Sequence, residues 1–110
     1  MDENLKALLE RLQKAYSMNT TPEMVEAWFD KFRAELMGNT WSEPEADENG
    51  MITYRPSGYA KALQAACREI ERRDFWDRPS FRLLRAAVIQ IDRQGAAAAE
   101  RAFDGGRIQT

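Results

Sequence analysis

Leu5, Leu8, Leu9, Leu12 and Tyr16 recur at the i, i+3, i+4, i+7 spacing of a helix with one buried stripe, which predicts a first helix over residues 2–16. Asp2 and Glu3 suit its electropositive start. A polar link, Ser17 to Thr20, leads into Thr21-Pro22-Glu23. There threonine can cap, proline fits the first turn and glutamate complements the dipole. A second helix is therefore predicted to about Met37, with Met24, Val25, Trp28, Phe29, Phe32 and Leu36 on its apolar side and Gly38-Asn39 as its stop. That aromatic stripe is wide enough to serve either a core or the seam of a homodimer.

Between residues 38 and 56 the helical period fails. Trp41, Pro44, the acids Glu43, Glu45, Asp47 and Glu48, and the turn pair Asn49-Gly50 interrupt it. Met51 to Tyr54 has β-type composition but no convincing partner strand, so the whole stretch is read as one acidic loop. Helix periodicity resumes near Ser57 and runs to about Arg73, with Tyr59, Leu63, Ala66, Cys67 and Ile70 inward. After an aromatic link, residues 74–79, a fourth helix runs to Gln94 on Phe81, Leu84, Ala87, Val88 and Ile91. Gly95 marks its end or a hinge. Residues 96–103 have high helix propensity but little apolar surface beyond alanine, which predicts an extension of helix four or a marginal helix, and Gly105-Gly106 opens a short tail. The period-2 alternation of a sheet is missing. The expected fold is all-α: a small bundle of four main helices over residues 1–94, with residues 95–110 as a C-terminal extension.

Composition narrows the function. At 110 residues, 44% of them hydrophobic, the chain has room for one domain with a modest core. The N-terminus lacks the basic start and apolar run of a signal peptide, and no stretch approaches the roughly 18 apolar residues of a membrane span. A cytoplasmic protein with no membrane association is the expectation. There is no histidine, and the single cysteine, Cys67, sits among small residues on a predicted helix, which reads as a buried inert thiol. No glycine-rich phosphate loop, CxxC pair or nucleophile elbow occurs. The four loop acids read as a solvated face rather than a cation site. No catalytic residue, metal or cofactor is predicted, and the protein is expected to work by gripping another macromolecule.

Charge is polarised along the chain. Residues 1–56 hold 6 basic and 11 acidic groups, whereas residues 57–110 hold 10 basic and 7 acidic, nine of the basic ones arginine. The series Arg68, Arg72, Arg73, Arg78, Arg82 and Arg85 falls along helix faces and would suit carboxylates or phosphates. Interleaved Glu69, Glu71, Asp74 and Asp77 and a pI near 5.2 dilute it, and mutual neutralisation between the two halves is the simpler reading. Phe75 and Trp76 read as a cap over the bundle end, or else as a partner anchor. Trp41, in the acidic loop with little local core to join, reads equally as core or anchor. The candidate partner-binding set is Trp41, Phe75, Trp76, Arg78, Arg82, Arg85, Arg101 and Phe103.

Four stretches, Lys6 to Tyr16 (KALLERLQKAY), Thr20 to Phe32 (TTPEMVEAWFDKF), Ala62 to Ile70 (ALQAACREI) and Arg78 to Leu84 (RPSFRLL), together resemble small bacteriophage replication proteins that load and also inhibit the hexameric replicative helicase. Those proteins share a tyrosine closing the first helix, a threonine-started helix carrying tryptophan, an alanine-rich helix and a proline-serine entry into the next. The resemblance implies a helical N-terminal domain followed by a mobile C-terminal segment, here residues 96–110, that contacts the helicase ATPase domain without catalysis. On this reading the chain is a phage or prophage adaptor or inhibitor acting on the replicative helicase. Two other readings stay open. One is a phage inhibitor of a host defence or regulatory complex; the other is a DNA-binding regulator using Arg78, Arg82 and Arg85.

Overall fold

A computed structural model describes residues 1–17, 20–73 and 78–109. The order is α1 (Glu3–Ser17), α2 (Pro22–Glu35), a 3-10 turn (Asn39–Trp41), β1 (Ser42–Ala46), β2 (Ile52–Pro56), α3 (Gly58–Arg72), α4 (Arg78–Gln94) and α5 (Ala96–Asp104). Helix starts follow the capping residues. The Asp2 carboxylate accepts from the Asn4 and Leu5 amides at 2.8 and 3.3 Å, Thr21 Oγ1 accepts from Met24 N at 3.3 Å, and Ser57 Oγ accepts from Ala60 N at 3.1 Å.

One core joins all five helices. Leu5, Leu8 and Leu12 of α1, Val25, Phe29 and Phe32 of α2, Leu63 and Ile70 of α3, and Leu84, Val88 and Ile91 of α4 are all buried. Phe29 and Phe32 point into this core, and half-buried Trp28 packs on Phe29, Phe32 and Phe81 at centroid distances of 5.2–5.3 Å. The α2 stripe is therefore core, not a dimer seam. Met24, at its margin, is 46% exposed.

The fold is mostly helical, but two expectations fail. First, residues 42–56 form an antiparallel hairpin, Ser42 opposite Pro56 through Ala46 opposite Ile52, so the protein is not all-α. The turn makes the pairing. Asp47 accepts from the Asn49 and Met51 amides at 2.9 and 2.8 Å on its side chain, and Gly50 takes the left-handed φ of +78° that closes a three-residue loop. The missing partner strand is the acidic Ser42–Ala46, in which Pro44 and two glutamates hid the strand pattern.

Second, the described residues 95–109 include a fifth helix that packs on the bundle rather than hanging as a marginal one. Gly95 adopts φ 88°, ψ 154°, a conformation essentially confined to glycine, and this reverses the chain between α4 and α5. The fifth helix then lies against α3 and α4. Alanines make the close approach possible: Ala62, Ala65 and Ala66 of α3 and Ala99 of α5 are fully buried, and a Cβ on Gly58 would stand 3.4 Å from that of Ala96. Phe103 is fully buried and Ile108 nearly so. Beyond α5 the Gln90 carboxamide, itself 3% exposed, holds the tail by donating to Arg107 O at 3.1 Å and accepting from Gln109 N at 2.8 Å.

Candidate functional site

An open groove of about 880 Å³ runs along the outer side of α4, bounded by the second half of α1, the end of α3 and the tail at Gln109. Its floor is apolar: Leu12, Phe81, Leu83, Ala86 and Ile89. Its rim carries the guanidinium groups of Arg73, Arg82, Arg85 and Arg93. On α4 the lining positions 82, 85, 86, 89 and 93 follow the spacing of one helix face, so a single helix supplies both the apolar strip and three of the arginines.

The rim arginines differ in their partners. Arg73 Nε donates to Glu69 Oε1 at 3.2 Å, and Arg72 Nη2 to Glu69 Oε2 at 2.6 Å and to the Phe103 carbonyl at 3.0 Å. Arg68 pairs with Asp104 at 3.1 Å. Arg68 and Arg72 thus fasten α5 to α3, while Arg73 pairs with Glu69 at the end of α3 itself. Arg85 and Arg93, both exposed, make no ion pair among the described residues. Across the two halves of the chain Arg33 pairs with Glu71 at 3.1 Å, while Arg11–Glu35, Arg55–Glu45 and Arg68–Asp104 each lie within one half.

Burial pushes the Glu69 carboxyl up, but the hydrogen bonds from Arg72 and Arg73 and their charges outweigh it and hold the group below the ordinary 4.5. Its stabilising effect is therefore complete above about pH 4.5 and is lost as pH falls through the lower folded value. In urea unfolding followed from pH 7 to 3, wild type should lose its advantage over Glu69→Gln only below that point. A constant gap down to pH 3 would contradict the ion-pair account.

Cys67 is fully buried, and burial raises its thiol to about 12, against the lowering fields of Arg33 and Arg68. It stays a protonated core side chain, as the sequence indicates. No cluster of three His, Cys, Asp or Glu side chains that could hold a metal occurs among the described residues, and no described helix is long and apolar enough to cross a membrane.

The proposed site residues separate sharply. Arg82 and Arg85 lie together on the groove rim. Arg101 is exposed on α5, outside the groove lining. Trp41 is only 5% exposed: it closes the end of the bundle beside the start of α1, and its carbonyl accepts from Ser57 N at 2.8 Å. Phe103 has no exposed surface. Neither side chain can be a surface anchor as placed, because each is already covered by the chain's own core. Arg78 opens α4, and its side chain lies outside the described residues, as do Phe75 and Trp76.

Comparison with protein-family models, with curated proteins and with solved structures finds no match. The groove is thus read from its own chemistry. Arg93 is the functional candidate that the arginine series missed. Its signal is the step of eleven residues, three helical turns, from Arg82 along the face that also carries Ala86 and Ile89.

Proposed function

We propose that this chain is a non-enzymatic adaptor or inhibitor, acting in the cytoplasm, that receives an acidic and partly apolar segment of a protein partner in the α4 groove. The supporting observation is the combination of an apolar floor with Arg85 and Arg93, which have no ion-pair partner among the described residues. Arginine beside an apolar strip suits a carboxylate-bearing peptide: the strip excludes water and the planar guanidinium holds the carboxylate in a two-pronged pair. A surface that only tracked phosphates would gain little from Leu12, Leu83 and Ile89 in its floor.

The resemblance to phage helicase loader and inhibitor proteins makes the replicative helicase the partner we propose, the chain being a phage or prophage product. Its contact lies on α4 rather than on a mobile C-terminal segment, since residues 95–109 are anchored to the core through Ala99, Phe103 and Ile108 and only Gln109 among them reaches the groove.

The test is size-exclusion chromatography of the intact protein mixed with the replicative helicase of its bacterial host. Co-elution in fixed stoichiometry, lost on charge reversal in the groove, supports the reading. Failure to co-elute rejects the helicase as partner. If a host defence or regulatory complex is instead captured through the same arginines, the groove stands and the helicase falls. Salt-sensitive binding to DNA alone, with no protein partner, replaces the adaptor by a DNA-binding regulator.

A further inference from the structure

The hairpin leaves three neighbouring large apolar side chains uncovered. In its register Pro44, Ala46, Ile52 and Tyr54 share one face, and Glu43, Glu45, Thr53 and Arg55 the other. Ile52 is 64% and Tyr54 68% exposed, and Met51 beside them 66%. A two-stranded ribbon gains little stability by itself in water, so an apolar face left bare on one points to a further strand.

Hydrogen bonding fixes which backbone groups are available. Asp47 N donates to Met51 O at 2.9 Å at the turn, and Ser57 N donates to Trp41 O at 2.8 Å at the base. Hydrogen-bonded and non-hydrogen-bonded pairs alternate along an antiparallel ladder. Glu45–Thr53 and Glu43–Arg55 therefore exchange bonds inside the ribbon, whereas Pro44–Tyr54 and Ala46–Ile52 turn their amide groups outward. On β1 the outward edge carries Pro44, which has no N–H, between Glu43 and Glu45; such an edge resists pairing. On β2 the outward edge presents the N–H and C=O of both Ile52 and Tyr54, and no hydrogen bond among the described residues reaches them.

We infer that this β2 edge pairs with the β2 edge of a second copy of the chain, antiparallel about a two-fold axis through Thr53. In that register Ile52 faces the second copy's Tyr54 and each outward N–H meets an outward C=O. The sheet runs β1-β2-β2-β1, with one continuous apolar face. Charge selects this edge over the other. The four acids Glu43, Glu45, Asp47 and Glu48 lie on β1 and the turn, away from the junction. Arg55 is the only charge on β2, and it would face the second copy's Met51, with the two arginines roughly 13 Å apart along the strands at about 3.3 Å per residue. Pairing through β1 would instead bring the acids together and lack the Pro44 donor. This surface is separate from the α4 groove, and the inference does not rest on the groove's function.

The contact is small, below the roughly 1,200 Å² of a standard interface, so the dimer is concentration-dependent. Sedimentation velocity from about 1 µM to about 1 mM, the range in which weak complexes dissociate, should show the species moving from 12.7 kDa toward twice that mass. Thr53→Lys places like charges opposite each other at the axis while setting lysine opposite Glu45 within the monomer. It should weaken the dimer about fivefold or more and leave circular dichroism unchanged. Tyr54→Pro removes one outward N–H without touching a ladder bond of the ribbon, and should weaken it about tenfold or more. Thr53→Cys should give a covalent dimer on mild oxidation, because a non-hydrogen-bonded pair brings Cα atoms to about 4.5 Å, within disulfide reach; the buried Cys67 does not compete. A protein that stays monomeric to about 1 mM, or a dimer untouched by both Thr53→Lys and Tyr54→Pro, overturns the inference. So does pairing of this edge only with a strand of another protein.

Discussion

Replacing Phe103 with alanine is expected to cost about 3–5 kcal/mol of folding stability, a large part of the roughly 5–15 kcal/mol that a domain of this size possesses. The ring is fully buried, and Ala99, about one turn before it, and Ile108 belong to the same buried core. The backbone around it is held from both sides: Arg72 donates to the Phe103 carbonyl, and Gln90 holds residues 107 and 109. With little room for collapse on either side, the loss of the ring leaves a cavity rather than a repacked core. Arg101→Ala, two residues away on the exposed side of α5, should change stability by no more than about 0.5 kcal/mol. Urea unfolding of the two variants against wild type measures both. Truncation after Gln94 should go further and expose the alanine face of α3, giving a protein that binds hydrophobic dyes or fails to fold. A loader with a mobile C-terminal segment would behave in the opposite way, keeping its stability when residues 95–110 are removed. A loss below about 1 kcal/mol for Phe103→Ala would show that α5 lies outside the cooperative unit.

Reversing both free charges of the groove, Arg85→Glu with Arg93→Glu, is expected to weaken partner binding by about 100-fold or more, since each 1.4 kcal/mol is tenfold and desolvated charge pairs at interfaces are worth about 2–5 kcal/mol when broken. Both side chains are exposed and unpaired among the described residues, so the bundle should unfold at the same urea concentration as wild type. Arg85→Lys with Arg93→Lys separates simple attraction from two-pronged geometry. Lysine keeps the charge but not the planar fork, so a rescue short of wild type assigns part of the affinity to carboxylate geometry. Raising salt should weaken wild-type binding while leaving the residue from the apolar floor, and Ile89→Asp should remove that residue. Unchanged binding in the double reversal would remove the groove from the functional account altogether.

The helices were legible in the sequence because their information is local. Thr21-Pro22, Ser57 and Gly95 bracket elements through backbone donors and φ preferences that act within a turn, and the stripes at 5, 8 and 12, at 25, 29 and 32, and at 84, 88 and 91 repeat at the helical period. The inert state of Cys67 was equally local, because a thiol on the small-residue face of a helix is destined for the core. The arginine stripe at 82 and 85 was visible for the same reason, although which of the arginines remained unpaired was not.

What the tertiary structure alone decided depends on who meets whom. Phe103 and Ile108 sit in a segment with too few apolar residues to bury a face by itself, yet the alanines of α3 leave a shallow surface that this segment fills. Trp41 became core because the 3-10 turn brings it back to the start of α1, a contact across more than thirty residues that no spacing rule encodes. The hairpin needed Asp47 and Gly50 to fold a turn that pairs an acidic, proline-bearing strand with Ile52 to Pro56, overriding the low β propensity of Ser42–Ala46. Arg72 and Arg73 were satisfied by Glu69, whereas Arg85 and Arg93 were left to face a groove, because the path of α4 past α1 and the tail sets which cations find a carboxylate. Period and capping chemistry therefore determined the helices, while burial and charge pairing, which need the assembled neighbours, determined the surface that remains for a partner.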